Sequence, residues 1–198
     1  MPAPLFDYAD YHRTIIGYHG TTVTTADNLV NGNAFEESKQ DDDWLGSGVY
    51  FWEYAPKQAW WWAEGHKKFN TPAVVGAVIR LGNCFDLLDP RNIPVSRQYY
   101  ESLKQQLIAV NQPIPVNVRS HRCLDCAVFD YLYKASDQAG SPIDSARAVY
   151  VPTSKAHRVW EGSWIYDEAH IQICVRQTKN ILAVWHVRRD GRYGKESS

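Results

Sequence analysis

Residues Asp41 to Ala63 read D-D-D-W-L-G-S-G-V-Y-F-W-E-Y-A-P-K-Q-A-W-W-W-A. The glycine pair of Gly46-Ser47-Gly48 frames a short loop, and the apolar run Val49-Tyr50-Phe51-Trp52 after it has the character of a strand. Pro56 then stands where a first helical turn should begin, because its fixed φ suits that position and its missing N–H is not needed there. The order is therefore loop, strand, helix, with the helix running over about 56–68. Trp60, Trp61 and Trp62 would point in directions roughly 100° apart on a helix. They cannot all fill one core stripe, so at least one should face a cleft, a partner or solvent. The plainer alternative is a tryptophan-rich core helix.

Outward from this stretch, Arg13 to Tyr18 reads as a β-branched strand that runs into His19-Gly20-Thr21. Thr24 or Thr25 can cap a short helix over Ala26 to Val30, which stops near Asn31-Gly32-Asn33. A polar, acidic loop covers 36–43. Ala73 to Leu81 is a nearly continuous apolar run, expected to be a central strand, and Phe85 to Pro90 leads away from it. Tyr99, Leu103, Leu107 and Val110 recur at helical spacing over 96–110, and Leu124, Val128, Tyr131 and Leu132 do so over 122–135. Ala146 to Val151, Ile171 to Arg176 and Ile181 to Arg188 read as strands, with a long aromatic and glycine-bearing loop over 152–169. Strands and helices do not alternate regularly, which argues for α+β with mainly antiparallel pairing. The expected organisation is an irregular arm at 1–12, one domain at 13–190 and a basic tail at 191–198.

Composition narrows the function classes. The chain has 198 residues, enough for one domain with a proper core. Its net charge of −1 supplies no global basic field for nucleic acid or an anionic membrane, although a local basic groove remains open. No apolar run approaches a membrane span, and Met1-Pro2-Ala3-Pro4 lacks the basic start and apolar core of a signal peptide, so the expectation is a cytosolic protein. His121-Arg122-Cys123-Leu124-Asp125-Cys126 contains one C-x-x-C beside a histidine. No second pair completes a zinc site, and the helical pattern around it favours structural thiols over a redox pair. No metal is expected.

A strand running into His19-Gly20-Thr21, followed later by Gly46-Ser47-Gly48-Val49-Tyr50-Phe51 leading into a helix, resembles the ADP-ribosyltransferase family, in its diphtheria-toxin and poly(ADP-ribose) polymerase branch. The resemblance runs with gaps from Tyr18 to about Trp185 and is one of motifs. It implies a split antiparallel β-sandwich with a few flanking helices around a cleft for NAD, the substrate. It implies that His19 binds the adenosine-side ribose, that Gly20 holds the nicotinamide carboxamide through its backbone, and that Thr21 supports a ribose or the carboxamide. Tyr50 would stack on nicotinamide. Gln58 falls at the family's helix serine and Trp61 at its second stacking aromatic.

The chain departs from the family on its late strand. In His170-Ile171-Gln172-Ile173-Cys174-Val175-Arg176, Gln172 occupies the place of the family's glutamate. A neutral amide can still bond the nicotinamide-side ribose but offers less charge stabilisation, by about a few kcal/mol. Transfer of single ADP-ribose units is then expected, not chain elongation. His170 lies on the same strand face as Gln172. It is either a base for the acceptor or a half-exposed strand residue. Glu53, Glu64 and Glu168 are read as surface charges more than as substitute acids.

In the loop over 152–169, Trp160, Trp164 and Tyr166, with Lys155, His157 and Arg158 before them, would stack bases and meet phosphates, pack on a protein, or simply pin the loop. The leading expectation is a mono-ADP-ribosyltransferase of bacterial toxin or antiphage type. It would act on a macromolecular acceptor, RNA or DNA slightly ahead of protein, and be neutralised by an antitoxin partner. Its rivals are an inactive NAD- or ADP-ribose-binding module and a protein-interaction domain.

Overall fold

The computed structural model describes residues 13–41, 43–118, 121–152 and 157–189. The arm at 1–12, the tail at 191–198 and Lys155 lie outside the described residues. Among the described residues there are nine strands: β1 (Thr14–Thr22), β2 (Val49–Glu53), β3 (Pro72–Arg80), β4 (Cys84–Asp86), β5 (Asn117–Val118), β6 (His121–Arg122), β7 (Ser145–Tyr150), β8 (His170–Val175) and β9 (Ile181–His186). The α-helices among the described residues are α1 (Val23–Val30), α2 (Pro56–Trp61), α3 (Asn92–Ala109) and α4 (Cys123–Gln138). Seven strands form one sheet in the order β4-β7-β8-β2-β1-β3-β9, and β5 and β6 pair separately. Within the seven, only β4 with β7 is parallel. The fold is α+β with a mostly antiparallel sheet.

Several elements differ from their expected bounds. Strand β1 does not end at Tyr18. It continues through His19-Gly20-Thr21 to Thr22, because β3 pairs with it along its whole length, from Thr14↔Arg80 to Thr22↔Pro72. The cap of α1 therefore moves back to Thr22, whose hydroxyl accepts from Thr25 N–H. Helix α2 has Pro56 in its first turn, as expected, but leaves α-geometry at Trp62 and closes as a π-turn over Trp62–His66. Strand β4 and the β5–β6 pair have no sequence signature, since two or three residues carry no period.

The sheet curls. Only Leu81, Gly82 and Asn83 separate β3 from β4, although these strands stand sixth and first in its order. Its inner face closes on Val49, Phe51, Ala77, Ile79, Leu81, Ile173 and Val175. At one end α1 adds Ala26 and Leu29 against Ala73 and Val75. The inner face also carries a chain of charges. Arg147 on β7 grips Glu53 on β2 with two bonds of 2.6 and 2.9 Å and reaches Asp86 on β4 at 3.2 Å, and Asp86 also pairs with Arg13. Glu53 is thus not the surface charge that its sequence context implied. Its side chain is 8% exposed. On the outer face α2 packs over β1 and β3, and α4 brings Phe129, Leu132 and Tyr133 onto Ala146, Ala148 and Cys174. The C-x-x-C opens α4, and all four cysteines are free thiols. Burial pushes Cys84 up to about 11 and Cys126 up to about 12, so neither is a ready thiolate near neutral pH.

Removing one partner of a buried ion pair strands the other charge. Arg147→Met is therefore expected to lower the unfolding free energy by about 3–5 kcal/mol, measured from urea midpoints. A loss below about 1 kcal/mol would mean that Glu53 and Asp86 are hydrated.

Candidate functional site

The three strands that carry the motifs are consecutive in the sheet: β8, β2 and β1. Tyr18, Trp52 and Gln172 face one another in a single row across them. His19, Tyr50 and Gln172 all lie within two positions of that row, although they come from distant parts of the chain.

The pleat then divides them. Phe51, opposite His19 by register, belongs to the inner core, and the His19 ring lies 5.6 Å from the rings of both Phe51 and Phe35. Thr21 shares that inner side and is buried. Tyr50, Trp52 and Gln172 fall on the outer face, where Tyr50 packs with the Leu45, Tyr133 and Cys174 cluster. The imidazole and the phenol thus leave adjacent strands on opposite faces. Their link runs through the backbone, where His19 Nδ1 sits 2.9 Å from the Tyr50 carbonyl. A carbonyl only accepts, so Nδ1 carries the proton.

The Tyr50 hydroxyl is occupied. It accepts from Leu45 N–H at 2.9 Å and donates to the Gly46 carbonyl at 2.8 Å, pinning the glycine loop to β2. Burial raises the phenol well above its ordinary range, and the neutral form that these two bonds need is retained. Gly20 needs its missing side chain for a reason internal to the fold. A Cβ there would lie 2.5 Å from the Ala59 carbonyl oxygen and 3.2 Å from Trp62, so α2 could not seat on β1.

The three tryptophans separate as their helical directions require. Trp60 and Trp62 pack with Trp52, Ala59 and Val74. Trp61 is 55% exposed and stacks on His66. The aromatic that reaches β1 is therefore Trp62, the first residue of the π-turn after α2, and Trp61 is the one facing out. Gln58 stands half-buried on the same helix.

At the far end of the row, His170 and Gln172 join two residues that the sequence did not single out. Trp44 Nε1 donates to Gln172 Oε1 at 2.6 Å, and Gln172 Nε2 lies 3.0 Å from His170 Nε2. His170 Nδ1 lies 2.6 Å from the Glu168 carbonyl, and the ring stacks on Tyr150 at 4.9 Å. Trp44 sits in an acidic run, where an indole gives no periodic signal, and Tyr150 ends an ordinary strand. The described part of the loop before β8, from residue 157, forms a small hairpin. Arg158 bridges Tyr166, Val159 N–H bonds the Ile165 carbonyl, and Ser163 N–H bonds the Trp160 carbonyl at the tip. Arg158 lies over the Tyr166 ring at 5.7 Å. Trp160 is 59% and Trp164 89% exposed, so neither indole pins the loop, whereas the half-buried Tyr166 pairs with Arg158 across the hairpin.

Glu64 pairs with Arg189 and Glu168 with His157. Among the described residues, no group of three or more His, Cys, Asp or Glu is placed to hold a metal ion, and no helix is long and apolar enough to cross a membrane. A cavity of about 420 Å³ opens beside Ser47, Asp130, Tyr133 and Arg176 and shares no residue with the predicted site.

No family model matches the chain, and no solved structure matches it. It is similar to the uncharacterized protein MJ0359 of Methanocaldococcus jannaschii, 23% identical over 177 residues, with 80% of each chain covered. That likeness carries no activity with it.

His19 and His170 are both held below the ordinary imidazole value of 6.5, chiefly by burial. Unfolding frees them, so as pH falls the unfolded chain takes up protons first. Their contribution to stability is complete above about 6.5 and is lost as pH falls through the lowered folded values. The melting temperature is expected to be lower at about pH 5 than at about pH 7.5, and the difference to shrink in His170→Asn. A flat profile would show that both rings are hydrated in the folded protein.

Proposed function

We propose that the protein is a mono-ADP-ribosyltransferase that transfers ADP-ribose from NAD to a macromolecular acceptor. The observation that carries this reading is the adjacency of β8, β2 and β1. It brings the His-Gly-Thr, Gly-x-Tyr-Phe and late-strand motifs onto three neighbouring strands, with the His19 ring bonded to the Tyr50 carbonyl. On this reading the curled sheet is the split sandwich of that family. On the same reading nicotinamide would seat by Tyr50, and Trp62, which packs on Trp52, would be the aromatic that borders it in place of Trp61.

In the proposed reaction the bond between the ribose C1′ and the nicotinamide nitrogen breaks, and its electron pair leaves with nicotinamide. An acceptor oxygen or nitrogen then bonds C1′ and gives up its proton. Gln172 is neutral, so it orients the ribose by hydrogen bonds without countering the charge that develops on the sugar. Slow transfer of single units follows from that chemistry. The hairpin with exposed Trp160 and Trp164 precedes β8 in the chain and favours an acceptor that stacks on indoles, with single-stranded nucleic acid ahead of protein. An enzyme of this kind acting inside its own cell would call for a neutralising partner.

Incubation with NAD labelled in the nicotinamide ring tests the reading. Release is expected from the wild-type chain, to be lost in Tyr50→Ala, and to fall by less in Gln172→Ala. Mass spectrometry of RNA, DNA and protein fractions should then find one added ADP-ribose. NAD that raises the melting temperature without nicotinamide release would instead identify a binding module.

A further inference from the structure

The bonds around Gln172 form a chain whose direction is set at both ends. An indole N–H can only donate, so Oε1 of Gln172 must face Trp44 and its NH2 must face His170. A backbone carbonyl can only accept, so the proton of His170 must sit on Nδ1, toward Glu168. His170 Nε2 is then a bare acceptor for the Gln172 amide. Every link is satisfied in one protonation state, the neutral imidazole.

Protonation breaks the pattern. An N–H on Nε2 would meet the Gln172 NH2, donor against donor. Turning the amide over repairs that contact and creates the same conflict at Trp44, whose indole has no lone pair to offer. One of the two bonds must be lost. Trp44 is itself well anchored, because the next residue, Leu45, is fully buried. Its N–H bonds the Tyr50 hydroxyl, and its carbonyl accepts from Tyr133.

We propose that Trp44 is the positioning residue of Gln172, and that with His170 it makes a proton-gated relay. The relay presents the amide in one orientation while the imidazole is neutral and turns it, releasing the indole, once the imidazole is charged. The ionisable groups on the neighbouring elements are Glu168 and His157 on the loop before β8, Tyr150 stacked from β7, Tyr54 after β2 and Asp43 beside Trp44. Glu168 favours the charged ring, and burial opposes it more strongly. The relay also explains a glutamine at this position. A carboxylate would accept from Trp44 equally well but would require a protonated His170. The bearing of the relay on catalysis rests on the transferase reading, but its bonding does not.

The test is an NMR pH titration, without NAD, of the His170 ring nitrogens and the Trp44 indole N–H. The relay predicts the Nδ1–H tautomer at high pH and a Trp44 signal that shifts with the same midpoint as His170. In Gln172→Glu the His170 midpoint should rise by about one pH unit or more. Trp44→Phe keeps the ring and removes the donor, which frees the amide to accept from the imidazolium, so the midpoint should rise there too. A Trp44 signal that stays still through the His170 titration, the Nε2–H tautomer, or an unmoved midpoint in Trp44→Phe would overturn the relay. Nicotinamide release on the same samples separates the two readings. The expected spectra without release remove the transferase and leave the relay, and release with a motionless Trp44 signal does the reverse.

Discussion

Strand β2 lies between β1 and β8 and is covered on both faces, and the pleat of that one strand assigns each motif residue to a side. Val49, Phe51 and Glu53 point into the curl of the sheet, while Tyr50 and Trp52 point out toward the helices. Successive side chains on a strand must alternate. Once Phe51 is committed to the inner core, Tyr50 cannot share a face with His19, whose ring lies 5.6 Å from that of Phe51. What joins the two motifs is a hydrogen bond to the backbone between them.

The same constraint explains the glycines beside the motifs. Gly20 faces outward on β1, where the backbone of α2 comes down on it, and Gly17 faces inward, where a Cβ would meet Ile79 and Phe51. Gly20 marks a place where the helix backbone approaches the sheet more closely than a side chain allows, and Gly17 leaves room for side chains of the two flanking strands. A glycine in a binding motif and a glycine at a packing contact are indistinguishable in a sequence. At Gly20 the packing reason is sufficient by itself.

Charge is handled differently on the two faces. Inside, Glu53, Arg147, Asp86 and Arg13 neutralise one another in a chain that links β2, β7, β4 and the residue before β1. Outside, around Gln172, the polar groups are neutral and their order is imposed by donors and acceptors: indole, amide, imidazole, carbonyl. Such a chain is sensitive to a single proton, because each link has one direction in which it can be made.

Local pattern was enough to place β1, β2, β3, β8 and β9, the two long helices and the proline-led start of α2, because β-branched runs, helical spacing and capping act over a few residues. It was also enough to say that three consecutive tryptophans must part company. Long-range pairing settled the rest. The register of β3 carried β1 on to Thr22, and the curl of the sheet brought Asp86 and Arg147 to Glu53 and made a buried ion pair of an apparent surface acid. Packing against β1 chose Trp62 over Trp61, and a loop pinned by Tyr50 and Tyr133 delivered Trp44 to Gln172. Those partners come from distant parts of the chain, and only folding can bring them within hydrogen-bonding distance.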